Sequence, residues 1–70
     1  MAERLVNRLL ALRAERGLTQ AGLAERVGVT RKTINTVENT VFIPSTLLAL
    51  KLSRALGVPV EEIFQLELGG

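Results

Sequence analysis

Apolar side chains recur at helical intervals along most of this chain, interrupted by glycines and by hydroxyl-bearing residues. Leu5, Leu9 and Leu12 share one stripe, predicting a first helix over about Ala2–Arg16 that stops at Gly17. Thr19 is a good N-cap for a second helix over about Gln20–Val27, which Gly28 ends. Thr30 caps a third over about Arg31–Glu38, with Ile34 and Val37 three apart on its inner face. Residues 39–44 read as a loop, because Pro44 pushes Ile43 out of the helical region. Ser45 caps a fourth helix that carries Leu48, Leu52 and Leu56 on one stripe and stops at Gly57. Pro59 leads into a short last helix, with Glu61 and Glu62 in the first turn, where carboxylates suit the helix dipole, and with Ile63 and Phe64 inward. No strand pair, repeat or low-complexity stretch is expected. The pattern predicts an all-α, compact five-helix domain. Its core is expected to comprise Leu5, Leu9, Leu12, Leu18, Leu23, Val27, Val29, Ile34, Val37, Leu48, Leu52, Leu56, Val58, Ile63 and Phe64.

Seventy residues allow one domain, expected over 1–67, with 68–70 as a tail or a cloning remnant. A chain this short buries only about 60% of its unfolded surface, so its stability is marginal unless it packs unusually well or associates. It has neither Cys nor His, which excludes disulfides, the usual zinc sites, cysteine nucleophiles and imidazole chemistry. No cofactor is expected. The adjacent carboxylates Glu61 and Glu62 sit where a helix start favours negative charge, and Ser45 and Ser53 have no base partner, so catalysis is the weakest reading. No apolar run approaches the roughly 18 residues of a membrane span, and no basic-then-apolar leader is seen, so a soluble, cytoplasmic protein is expected. Net charge is +2, unevenly spread: residues 1–36 hold seven of the nine cations, among them Arg31 and Lys32. Such asymmetry fits a basic face for an anionic partner, and equally a solvated charged surface.

The segment from Gln20 to Asn39, QAGLAERVGVTRKTINTVEN, carries the most information. Ala24 is small enough to let a second helix approach closely. Gly28 permits a sharp turn four residues later, and Leu23, Val29, Ile34 and Val37 supply a wedge between two helices. That spacing is the arithmetic of a helix-turn-helix, with the second helix held out as a reader. An ordinary helical hairpin would need only the apolar spacing.

On these residues the chain resembles the Cro and phage-repressor type of helix-turn-helix domain, the lambda-repressor-like fold. Shared landmarks are LRAERGLTQ (12–20), LAERVGVTRKTI (23–34), VEN (37–39), PS (44–45), LAL (48–50) and ALGVPVEEIF (55–64). The resemblance spans about Asn7 to Glu67. It implies a transcriptional repressor, often a homodimer on near-palindromic double-stranded operator DNA. It assigns Arg31, Lys32, Asn35 and Thr36 to the major groove. Arg or Lys suits guanine O6/N7, and Asn suits adenine N6/N7. Thr30 and Thr33 would reach the DNA backbone. Gln20, at the start of the second helix, and Asn39, just after the reader, would contact phosphate. Solubility charges for Arg31 and Lys32, and a capping role for Gln20, are the plain alternatives. Arg13 and Glu38 match a pair that ties the first helix to the end of the third, a structural role.

The chain departs from the family after Asn39. Thr40 replaces a usual glycine, Val41 stands where a basic residue is usual and Ile43 where a polar one is, on either side of the aromatic Phe42. Leu47 stands where acidic residues are common, Ala21 and Gly22 replace an acidic pair, and Leu10 occupies a typically charged position. With the core already supplied, Val41, Ile43 and Leu47, extended by Phe42 and Leu10, are surplus. They read as a protein–protein interface, in a homo-oligomer or against another partner. The alternative is that Val41 or Ile43 folds back to plug the core. Two histories fit: a natural regulator with an apolar dimer surface, or an engineered derivative whose patch serves designed binding or self-assembly instead of DNA binding.

Overall fold

The computed structural model describes residues 3–68. Met1 and Ala2, at the predicted start of the first helix, and Gly69 and Gly70, in the predicted tail, lie outside the described residues. Five helices are present: α1 (Leu9–Glu15), α2 (Gln20–Val27), α3 (Arg31–Glu38), α4 (Thr46–Leu56) and α5 (Val60–Ile63). They enclose one core of Leu9, Leu12, Leu23, Ala24, Val27, Ile34, Val37, Leu48, Leu52, Leu56 and Ile63. Leu18, Val29, Val58 and Phe64 pack against it while only partly buried.

Local chemistry explains the joints. Thr19, Thr30 and Ser45 each adopt extended backbone and accept a hydrogen bond from an amide three residues on, at Gly22, Thr33 and Leu48 respectively. Each satisfies one of the donors a helix start leaves free. Gly28 ends α2 in the left-handed conformation, and the Val29 amide returns to the Ala24 carbonyl at 3.0 Å. That closure turns the chain sharply from α2 into α3.

One expectation is overturned. The first helix begins at Leu9 and not near Ala2, and Glu3–Asn7 form a strand, β1. It pairs antiparallel with β2 (Phe64–Leu68), setting Leu5 opposite Leu66 and Glu3 opposite Leu68. A small two-stranded sheet is thus added to the helical domain, and β2 includes residue 68 of the expected tail. The cause lies at Asn7. Its Oδ1 accepts the Leu9 amide at 2.8 Å and its Nδ2 donates to the Val37 carbonyl. This Asn-centred turn starts α1 there and competes with helix on its N-terminal side. Leu5, expected in the core, is therefore half-buried on the sheet.

The loop after α3 does not plug the core. Val41 is 79% and Ile43 71% exposed. Leu10, Phe42, Leu47, Leu50 and Leu66 are also exposed. No helix among the described residues is long and apolar enough to cross a membrane.

Candidate nucleic-acid interface

The third helix is amphipathic, and its two faces have separate tasks. Ile34 and Val37 are fully buried, so the opposite face, with Arg31, Lys32 and Asn35, must stand in solvent. Thr33 and Thr36 lie half-buried along its flank. Thr30 spends its hydroxyl on the N-cap, meeting Thr33 Oγ1 at 3.0 Å, and Thr36 Oγ1 donates back to the Thr33 carbonyl.

The inner edge of α3 is anchored through charge. Glu38 has a side chain only 1% exposed, and its Oε2 lies 2.5 Å from Arg13 Nε, with Oε1 3.2 Å from Arg13 Nη2. Arg13 Nη1 also donates to the Leu18 carbonyl at 2.8 Å. The hydrogen bonds to Glu38 raise the Arg13 guanidinium above its already high value, against the opposing effect of burial. This is the structural pair expected from the sequence, and it faces inward. By contrast, no carboxylate pairs with Arg31 or Lys32 among the described residues. Their charges are free for an external anion.

Gln20 is not a cap partner, since Thr19 caps α2. Its amide crosses to α3 instead, with Nε2 2.9 Å from Glu38 Oε1 and 3.2 Å from Asn35 Oδ1, while Arg31 Nε approaches its Oε1 at 3.4 Å. Asn39 folds back on Asn35, with Nδ2 2.8 Å from the Asn35 carbonyl and 3.1 Å from its Oδ1. Gln20, Arg31, Lys32 and Asn35 line one open cleft of about 310 Å³. Lys32, Thr33 and Thr36 line a second with Val41 and Phe42, of about 370 Å³. The structure therefore gathers all eight expected DNA-facing residues on or beside one helix. Glutamine-to-asparagine bridging was not legible in the sequence, because it depends on how α2 and α3 cross.

The apolar residues after α3 separate into two places. Val41 and Phe42 sit beside α3, their amides both donating to the Thr36 carbonyl, at 3.0 and 3.2 Å. Ile43 turns to the other side, into an open apolar cleft with Leu5, Pro44, Ala49, Leu50, Val60 and Phe64. Leu47 lies on α4 one turn before Leu50, and Leu10 lies apart on α1. Leu50 and Leu66 extend this apolar surface and were not anticipated; the spacing from Leu47 to Leu50 was the available signal.

The helix-turn-helix (HTH_3) family matches residues 9–63, from the start of α1 to the end of α5. The chain belongs to the helix-turn-helix family. Within it, this protein is 44% identical over 61 residues to YgzD of Bacillus subtilis (strain 168), an HTH-type transcriptional regulator; the match covers 87% of this chain and 92% of YgzD. An HTH-type transcriptional regulator of Methanothermobacter thermautotrophicus is 52% identical over 59 residues, covering 83% and 86% of the two chains. Among solved structures, the restriction-modification controller protein C.AhdI from Aeromonas hydrophila superposes with a TM-score of 0.75 at 36% identity, covering 79% of this chain and 83% of that one. The helix-turn-helix residues of this protein fall inside the family match, whereas β1 and β2 lie wholly outside it.

Proposed function

We propose that this helix-turn-helix protein is a transcriptional regulator that binds double-stranded operator DNA with α3 in the major groove. Arg31, Lys32, Asn35 and Thr36 meet base edges, while Gln20, Thr30, Thr33 and Asn39 border the backbone. The observation that carries this reading is the pair of unpaired cations at the exposed start of α3, on a helix whose other side is locked by Glu38 and Arg13. A rigidly held helix with free donors on one face suits direct readout. Fluorescence anisotropy against a random double-stranded DNA pool at about 50 mM salt tests it. Binding lost in parallel with added salt is expected, and no binding at that salt rejects it.

A second reading accompanies the first. The exposed apolar surface of Ile43, Leu47, Leu50 and Leu66 serves self-association, so that two copies offer their α3 helices to one DNA duplex. The clustering of Ile43 and Leu50 with Leu5 and Phe64 around one cleft favours it. Leaving such side chains in water forfeits about 1.5–3 kcal/mol each relative to burial.

A further inference from the structure

Around Asn35, four polar groups fix one another's direction. The Glu38 carboxylate only accepts, so the Gln20 amide must turn its nitrogen toward α3 to make the 2.9 Å contact. The Gln20 oxygen then faces outward to Arg31 Nε, a donor, as observed. That same Gln20 nitrogen lies 3.2 Å from the Asn35 side chain, which must present its oxygen there, since two amide nitrogens cannot bond each other. An independent constraint comes from the far side. Asn39 Nδ2 donates to the Asn35 backbone carbonyl at 2.8 Å, which again can only accept, and the same nitrogen lies 3.1 Å from Asn35 Oδ1. Two separate chains of donors and acceptors thus reach the same assignment.

Both lone pairs of Asn35 Oδ1 are therefore occupied from within the protein, and what faces outward is the amino group with its two hydrogens. We infer that Asn35 reads DNA as a donor only and selects guanine over adenine at the base pair it meets. The inference rests on the DNA reading above and reverses the pairing expected of an asparagine. Bidentate recognition of adenine requires the side chain to accept from N6 and donate to N7 at once. Asn35 has no acceptor left for N6 unless Gln20 and Asn39 let go. Guanine presents N7 and O6, both acceptors, which suit a group with two hydrogens and no free lone pair. Gln20 and Asn39 are positioning residues in this scheme: they set which edge Asn35 reads, whatever phosphates they also touch.

The test starts with duplexes enriched from a random double-stranded DNA pool by the unaltered protein and by Asn35→Ala. The base pair whose preference vanishes in Asn35→Ala is the one Asn35 reads. At that pair, guanine is expected to bind at least tenfold better than adenine, and 7-deazaguanine, which lacks the N7 acceptor, several-fold worse than guanine. In Gln20→Ala/Asn39→Ala the guanine-to-adenine ratio is expected to fall below threefold, even though overall affinity also drops. Asn39→Ala alone, which leaves α2 untouched, should give an intermediate ratio. A preference for adenine at the Asn35-dependent pair overturns the inference while leaving DNA binding in place. So does an unchanged ratio in the double variant, or no Asn35-dependent pair at all. No enrichment from the pool by the unaltered protein overturns the DNA reading and this inference together.

Discussion

Glu38 and Arg13 meet between the third and first helices with a carboxylate oxygen 2.5 Å from the guanidinium Nε, and neither side chain is more than 15% exposed. Removing one partner leaves a mostly buried charge unpaired, which is far worse than never having buried the pair. Glu38→Ala is expected to cost about 3–5 kcal/mol, read as a lower urea midpoint with an unchanged slope. Because the pair raises the folded-state value of Arg13, its contribution is fully present below the unfolded guanidinium value and lost only as strong alkali passes the folded one. The stabilisation from this arginine should therefore be flat across neutral pH.

Thr40 is the only non-glycine among the described residues with positive φ, at 58°. A β-branched side chain is poorly suited to this region, and the strain costs on the order of 1 kcal/mol or more. The amide of Thr40 bonds the Val37 carbonyl at 3.0 Å, so helix α3 ends in a left-handed turn that favours glycine. Thr40→Gly should raise stability by about 1 kcal/mol despite the greater freedom glycine gives the unfolded chain. A fall in melting temperature would contradict it.

Lys32 and Arg31 should separate by type of contact. Alanine at a residue making a bidentate base contact is expected to cost about 1–3 kcal/mol and to relax preference at one base pair. Alanine at a phosphate contact should lower the salt slope of binding by roughly 0.9 and weaken all sequences alike. Binding isotherms for each variant over a salt series distinguish the two, and two variants indistinguishable from the unaltered protein would remove α3 from the interface.

Self-association makes its own demand. Replacing Leu47 and Leu50, both exposed on α4, with Lys and Gln touches no buried residue and should leave the helical signal unchanged. Sedimentation equilibrium is expected to show an assembly for the unaltered protein and monomers for the double variant. An unaltered protein that stays monomeric at high concentration would defeat this reading.

Much of the helical frame was legible because its signals are local. Thr19, Thr30 and Ser45 cap as their residue types demand, and Gly17, Gly28 and Gly57 stop their helices as expected, each with left-handed backbone. Ten of the fifteen expected core residues are buried and four more pack against the core. The error at Leu5 has the opposite character. Leu5, Leu9 and Leu12 match a helical stripe, but strand pairing with Leu66 is decided at the other end of the chain, where local periodicity carries no information. Asn7 was the visible warning, an Asn able to turn the backbone just before an apolar run. Residue types pointed to the exposed face of α3, while the orientation of the Asn35 amide emerged only from the contacts that Gln20 and Asn39 make.

Pairing Glu3 with Leu68 also has a kinetic side. The turn between α2 and α3 joins near neighbours, whereas the sheet must close almost the whole chain into a ring before it gains a single hydrogen bond. The sheet is therefore expected to zip up late and fray early, its amides exchanging with deuterium well before those of α2 and α3. Asn7 connects that fraying edge to the last turn of α3 through the Val37 carbonyl. Opening of the sheet withdraws one of the bonds that steady α3, so β1 and β2 act as a clasp on the helix between them.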